Sequence, residues 1–481
     1  MVEQLKRLRT GIAGLDTLLK GGLVIGSSYI VQGHPGSGKT ILANQLACNH
    51  VRDGGRVLVA TLLSESHERL FQYLSTLSFF DREMVGDTLQ FVSAFDTLEQ
   101  DGLDAVVRLL REEIARHHAS LLIVDGLLNA RTQAATPVDT KKFVSELQGH
   151  AAFAGCTVLL LTSSRLEEGS PEHTMVDGVI ELSEQMAGNA AVRHVHLRKT
   201  RGSAALSGRH ECLIGEDGLQ VFPRLEALYS RPTQLGSQVL EKVGTGVPDL
   251  DRMLGGGLAQ GSVSLLMGPS GVGKTALGIA FLAASSRESP GLHFGFYETP
   301  TRLRLKAQAL GLGIDELERS GAVQLCWQPT TEGLLDQVGA RLLEQVQASG
   351  ARRVVIDSLG AFGRLAQDPA RLNAFFRALT GELRARDVTV LLTWEMRDIF
   401  GAEITAPAPD LSSLVDNLVL MRLAELDACV HRVLSVIKVR DSDHDPSLQS
   451  LTLCPQGIRL GRAFEGAAGV LSGTAVQQDD R

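Results

Sequence analysis

A chain of 481 residues is longer than one hydrophobic core ordinarily serves, so two or more domains are expected. Its 44% apolar and 21% charged residues are those of a globular protein, and no apolar run approaches the roughly 20 residues of a membrane helix. A net charge of −8 with two Trp and four Tyr argues against a nucleic-acid surface, which wants basic grooves and stacking rings. The opening "MVEQLKRLRTG" lacks the apolar segment of a signal peptide. The cysteines (Cys48, Cys156, Cys212, Cys326, Cys429, Cys454) are scattered, without a C-x-x-C pair or a His cluster. That pattern fits a reducing cytoplasm better than a disulfide framework or a zinc site.

In chain order, a polar lead-in at Thr10–Gly22 precedes an apolar strand, "SYIVQ", and then "GHPGSGKT" at Gly33–Thr40. This fits the phosphate-binding loop G-x-x-x-x-G-K-[ST]. A helix, "TILANQLACNHV", leaves the loop, and the strands "RVLVATLL", "SLLIVD" and "TVLLLTSS" follow, separated by helical patterns. Two β-like runs, "VIELSE" and "VRHVHLRK", close the segment like a hairpin. The whole order then recurs. A second lead-in, "TGVPDLDRMLGGGL", runs into "VSLLM" and "GPSGVGKT" at Gly268–Thr275, and Thr10, Asp16 and Gly22 match Thr245, Asp251 and Gly257 at one constant offset. "LHFGFY", "RVVIDS", "VTVLLTW" and the pair "LVLMRL"/"VLSVIKV" complete the second copy. Continuous Val/Ile/Leu runs between amphipathic helices indicate strands buried on both faces. The expected class is α/β: two tandem domains of about 230 residues, each a mainly parallel sheet flanked by helices with a terminal β-hairpin region. The boundaries are expected at 1–231 and 232–461, with a polar seam around Tyr229–Gln238 and a C-terminal tail over 462–481.

Each loop carries a complete phosphate cradle. Gly33, Gly36, Ser37 and Gly38, and in the second copy Gly268, Gly271, Val272 and Gly273, aim backbone N–H groups at phosphate oxygens. Lys39 and Lys274 reach for the β- and γ-phosphates of ATP, and Thr40 and Thr275 for Mg²⁺. The acid that completes such a metal site ends a buried strand, which Asp125 and Asp357 do; the plainer reading is an Asp that opens a loop or caps a helix. Glu65 and Glu298 follow the next strand as candidate water-activating residues, although an acid there also suits a helix start. Thr162, Ser163 and Thr393 are polar strand tips that could sense the γ-phosphate. Lastly, Lys199 and Arg201, matched by Lys438 and Arg440, sit one residue apart and point to one face. With a loop lysine already present in each domain, they suit service in a neighbour's site as well as ordinary edge-strand charge.

These pieces resemble the KaiC family of RecA-like ATPases over nearly the whole chain. The resemblance rests on the "TGI.GLD…GGL" lead-in, both loops, "SESHERL"/"YETP", "IDS", "LRKTRGSAALSGRHECLIGEDGLQVFP" and "AFEGAAGVLSG". It implies two RecA-like domains, a homohexamer of two stacked rings with ATP between neighbouring subunits, slow hydrolysis, regulatory protein partners and, in some members, autophosphorylation. It also implies that Lys199, Arg201, Lys438 and Arg440 act in trans. The family's paired acids are reduced here to Ser64-Glu65 and Tyr297-Glu298, and "LSSLVD" places Ser412 and Ser413 over the family's phosphorylated pair, where the first half has His173 and Thr174. Three functions therefore compete: an ATPase with serine autokinase activity in the second domain, a nucleotide-dependent scaffold with negligible turnover, and a DNA-dependent RecA-type ATPase, which the acidic balance disfavours.

Overall fold

The computed structural model describes residues 5–64, 66–134, 137–163, 170–187, 190–230, 241–330, 333–396, 411–426, 429–440, 442–462, 467–468 and 476–477. The chain divides into two compact units, Met1–Leu228 and Tyr229–Arg481. The first is built on a nine-stranded sheet: β1 (Ser28–Gln32), β2 (Val57–Thr61), β3 (Leu89–Ser93), β4 (Leu121–Asp125), β5 (Thr157–Thr162), β6 (Gly178–Ala187), β7 (Ala190–Thr200), β8 (Arg209–Gly215) and β9 (Gly218–Phe222). Their spatial order is β9-β8-β7-β6-β1-β5-β4-β2-β3. From β6 to β3 all neighbours run parallel, whereas β6 to β9 form an antiparallel extension.

The second unit repeats this order with β10 (Val263–Gly268), β11 (Gly291–Gly295), β12 (Val323–Trp327), β13 (Arg353–Asp357), β14 (Thr389–Glu395), β15 (Asn417–Leu426), β16 (Cys429–Val439), β17 (Gln449–Cys454) and β18 (Gly457–Arg462). These are tandem RecA-like domains. Among the described residues no helix is long and apolar enough to cross a membrane.

Alternation along each central strand explains the layering. Leu121 and Ile123 of β4 join Leu42, Leu46 and Cys48 of helix α1 (Lys39–Arg52) in one core. Leu122 and Val124 face the other way, onto Val106, Leu110, Phe143 and Leu147 of the opposite helical layer. Both faces are therefore buried, and the loops and cavities that can admit a ligand lie at the strand tips. The helix after the second loop, α2 (Lys274–Ala283), is buried along Leu277, Ile279, Ala280 and Phe281 in the same way.

Two features depart from the sequence reading. The parallel sheet has a further edge strand in each unit, β3 and β12; only Leu89 and Val323 of these are buried, so the apolar signal there is weak. And the terminal β-hairpin region, whose expected pair is β6–β7, carries a second antiparallel pair, β8–β9. The pair β8–β9 turns at Glu216-Asp217 with Gly218 at φ +86°, a left-handed backbone that glycine adopts without strain. The lead-in proves to be a clasp. Asp16 accepts from the backbone and hydroxyl of Thr10, both at 2.8 Å, and Asp251 accepts from the Thr245 backbone at 2.7 Å.

Candidate functional site

Both phosphate loops lie between the end of a central strand and the start of a helix. Gly36 and Gly38 have φ of +81° and +99°, and Gly271 and Gly273 of +77° and +113°, so each loop turns through conformations that side chains resist. Gly33 and Gly268 serve close approach instead. A Cβ on Gly33 would fall 2.3 Å from the Leu182 carbonyl oxygen, and one on Gly268 would fall 2.6 Å from that of Met421. Ser37 is buried with its Oγ unpartnered among the described residues. Val272 differs from the other loop positions. Its side chain is fully buried in the core and leaves only its backbone N–H to offer a phosphate.

The lysines are folded back onto their own loops. Lys39 Nζ donates to the Gly33 and His34 carbonyls, each at 2.9 Å, and Lys274 Nζ to Gly268 and Pro269 at 2.8 and 2.7 Å. Burial pushes both lysine pKa values down, while Asp125 at the first site, and Glu395 and Asp357 at the second, act the other way. Thr40 Oγ1 donates to Asp125 at 3.3 Å, and Thr275 Oγ1 to Asp357 at 2.8 Å. Each loop thus brings together a hydroxyl, a strand-end carboxylate and an ammonium. This set of oxygen donors fits Mg²⁺, which takes one or two protein oxygens and otherwise binds water and substrate phosphates. Thr40 with Asp125, and Thr275 with Asp357, would hold the ion, which when bound would neutralise charge on the β- and γ-phosphates.

At the second site these groups open onto a cavity of about 580 Å³ lined by the loop together with Tyr297, Glu298, Lys306, Ser358 and Glu395. Glu298 is ion-paired with Lys306 of the following helix, and its Oε2 is buried without a hydrogen-bond partner among the described residues. Tyr297 lies under the Arg364 guanidinium, 5.0 Å from ring centroid to Cζ. Thr393 is fully buried and donates to Asp357 Oδ1 at 2.5 Å. The sheet register makes Leu161 the first-unit counterpart of Thr393: Leu161 pairs with Val31 as Thr393 pairs with Leu266. Thr162 stands one position further on, opposite Gln32. The first unit has no hydroxyl at the Thr393 level, and Ser163 follows Thr162 at the strand tip. Glu65 lies outside the described residues.

The basic pairs are each engaged within their own domain. Lys199 Nζ donates to the His173 and Thr174 carbonyls at 2.7 and 3.2 Å, and Arg201 to Thr174 at 3.0 Å. Lys438 donates to the Ser412 and Val415 carbonyls at 2.8 and 2.9 Å, and Arg440 to Ser413 at 2.7 Å and to Asp416 at 3.1 Å. The physical reason is local: the last carbonyls of the short helices Pro171–Met175 and Leu411–Leu414 have no next helical turn to donate to them, and cations bond there. The same contacts match His173 to Ser412 and Thr174 to Ser413. Ser412 and Ser413 are exposed, whereas His173 is buried against Gln32 Oε1 at 2.8 Å.

Sequence reasoning passed over Glu395, which ends β14 in the same cavity. Its signal was an acid two residues after Thr393, at the tip of a strand already singled out. Tyr297 was read as a lost acid, and its stacking on Arg364 could not be foreseen from the sequence.

Two phosphate loops, each backed by a strand-end aspartate on a RecA-like sheet, define a two-site P-loop ATPase. The chain belongs to the KaiC family of ATPases, which matches residues 8–226 and again 243–464. It is similar to circadian clock oscillator proteins KaiC. That of Picosynechococcus sp. is 25% identical over 491 residues, covering 99% of this chain and 93% of the relative. That of Rippkaea orientalis is 26% identical over 490 residues, covering 99% and 92%. That of Synechococcus elongatus is 25% identical over 490 residues, covering 99% and 93%.

Proposed function

We propose that this chain is a homohexameric, double-ring regulatory ATPase that binds Mg²⁺·ATP at both loops and hydrolyses it slowly. The observation that carries this reading is the repeated Lys–Thr–Asp constellation at Lys39, Thr40 and Asp125 and at Lys274, Thr275 and Asp357. The loop glycines and lysines hold the phosphates, and the two Thr–Asp pairs hold the ion's first shell. Glu65 and Glu298 are the acids that follow the second strand of each sheet. For Glu298 the Lys306 ion pair must open before the carboxylate can meet a water.

Lys199, Arg201, Lys438 and Arg440 remain candidates for contact with a neighbour's nucleotide, since both arginines keep about half their surface: 57% and 43% of the side chain. In this reading they exchange a backbone carbonyl for a phosphate at assembly. Ser412 and Ser413, exposed on the turn that Lys438 and Arg440 hold, are the candidate phosphate acceptors of an autokinase step. The same reading includes a signalling role with regulatory protein partners in the cytoplasm; similarity to circadian clock oscillator proteins supports the signalling role. The stacked Tyr297 and paired Glu298 favour one second reading, a nucleotide-dependent scaffold with negligible turnover. Light scattering with and without Mg²⁺·ATP tests the assembly. The expected mass with nucleotide is near six times 51.6 kDa, and a monomer at micromolar concentration in saturating nucleotide would refute it.

A further inference from the structure

The second cavity contains three carboxylates, and their surroundings differ. Asp357 is bonded on both oxygens, by Thr275 and by Thr393. Glu298 is ion-paired with Lys306. Glu395 is exposed on the cavity wall and makes no hydrogen bond or ion pair among the described residues; the cation on which its charge acts is Lys274. Its backbone is level with Gly268, the first residue of the phosphate loop, and the next residue, Met396, donates its N–H to the Gly268 carbonyl at 3.0 Å. That carbonyl also receives Lys274 Nζ. Glu395 is therefore fixed by its strand at the loop mouth, beside the lysine that meets the terminal phosphates. A carboxylate that meets no hydrogen-bond donor among the described residues and lines an open cavity is equipped to accept a proton.

We propose that Glu395 is the general base of the second site, taking the place of the acid that Tyr297 cannot supply. This rests on the reading that the second site turns over ATP. The water oxygen bonds to the γ-phosphorus as the bond from that phosphorus to the β–γ bridging oxygen breaks. The water proton passes to Glu395 and then to the released phosphate, and ADP leaves with the bridging oxygen. The first unit presents the hydroxyl of Ser163 at the corresponding strand tip, so the two sites differ in this group.

The test uses the full chain and the variants Glu395→Gln, Glu395→Asp and Lys274→Ala. Glu395→Gln should lower the Lys274-dependent kcat by at least about a hundredfold while KM for ATP does not rise. Glu395→Asp should recover part of the loss, and Glu395→Gln should have no further effect in the Lys274→Ala chain. If Glu395→Gln keeps more than half of the Lys274-dependent turnover, the proposal is overturned. If the parent shows no Lys274-dependent turnover, the hydrolytic reading of that site fails by itself, and a binding arm then judges Glu395. Both tryptophans, Trp327 and Trp394, lie in the second unit, so intrinsic fluorescence reports its nucleotide affinity. Removing a negative charge beside the terminal phosphate should raise the preference for ATP over ADP roughly tenfold in Glu395→Gln. An unchanged preference would overturn the placement.

Discussion

Thr393→Val isolates the support of the strand-end acid at the second site. The two side chains have nearly the same shape, so the substitution exchanges a donor for a methyl group. Thr393 is fully buried, and water cannot readily replace the bond its hydroxyl makes to Asp357. A hydrogen bond to a charged group contributes about 1.5–3 kcal/mol, and Asp357 would keep only its Thr275 contact of these two. The ligand-free second unit should therefore unfold with about 1.5–3 kcal/mol less stability. Freed on one side, the carboxylate can rotate away from the Thr275 hydroxyl, which should weaken Mg²⁺·ATP binding by roughly tenfold, or about 1.4 kcal/mol. Tryptophan fluorescence follows both effects, because Trp327 and Trp394 belong to this unit. Denaturant titration gives the first and ATP titration the second. The reverse change, Leu161→Thr, should strengthen the first site in the same sense. Wild-type stability together with wild-type ATP affinity in Thr393→Val would refute the reasoning, because the bond would then carry no load in either state.

Further outcomes are expected elsewhere in the molecule. Gly268→Ala should destabilise the second unit by about 1–3 kcal/mol and abolish its ATP response, since the new methyl falls 2.6 Å from the Met421 carbonyl; a normal ATP titration would contradict this. Arg371→Ala removes the contacts of 2.7 and 2.8 Å that Arg371 Nη2 makes to the fully buried Asp336, and should cost about 1.5–3 kcal/mol in denaturant unfolding. His293 is buried near Asp357 and Glu298, and burial lowers its pKa despite their charges. The unfolded chain then binds the proton more readily, so second-unit stability should fall as pH drops below about 6.5, by up to about 1.4 kcal/mol per unit until the folded imidazole titrates. His293→Gln should flatten that slope. Intact-mass spectrometry after long incubation with Mg²⁺·ATP should find phosphate on Ser412 or Ser413 that Lys274→Ala removes; an unmodified mass with ADP accumulating leaves an ATPase without kinase activity.

The parallel sheets were legible because Leu121–Val124 and Val354–Ile356 are unbroken apolar runs, each followed by an acid, Asp125 and Asp357, a pattern that burial on both faces demands. The loops were legible because their glycines and lysines are required at fixed spacing. The edge strands Leu89–Ser93 and Val323–Trp327 were not, since a half-buried edge needs little apolar sequence. Equivalences at the strand tips were also obscured. Thr162 and Thr393 look alike in sequence, yet pairing with Gln32 and Leu266 sets them one residue apart. Lys199, Arg201, Lys438 and Arg440 bond mainly to backbone carbonyls, which no side-chain pattern announces. Glu395 was hidden for a related reason: an acid at a strand end is ordinary until the structure shows which cavity it faces.

Phosphate release from Mg²⁺·ATP by the intact chain, set against the Lys39→Ala/Lys274→Ala double variant, tests the central claim most directly, with each reaction repeated in single-stranded DNA. Slow release by the intact chain that is lost in the double variant and indifferent to DNA is the predicted result. Release that survives loss of both lysines, or none from the intact chain, would contradict an ATPase working through these two loops.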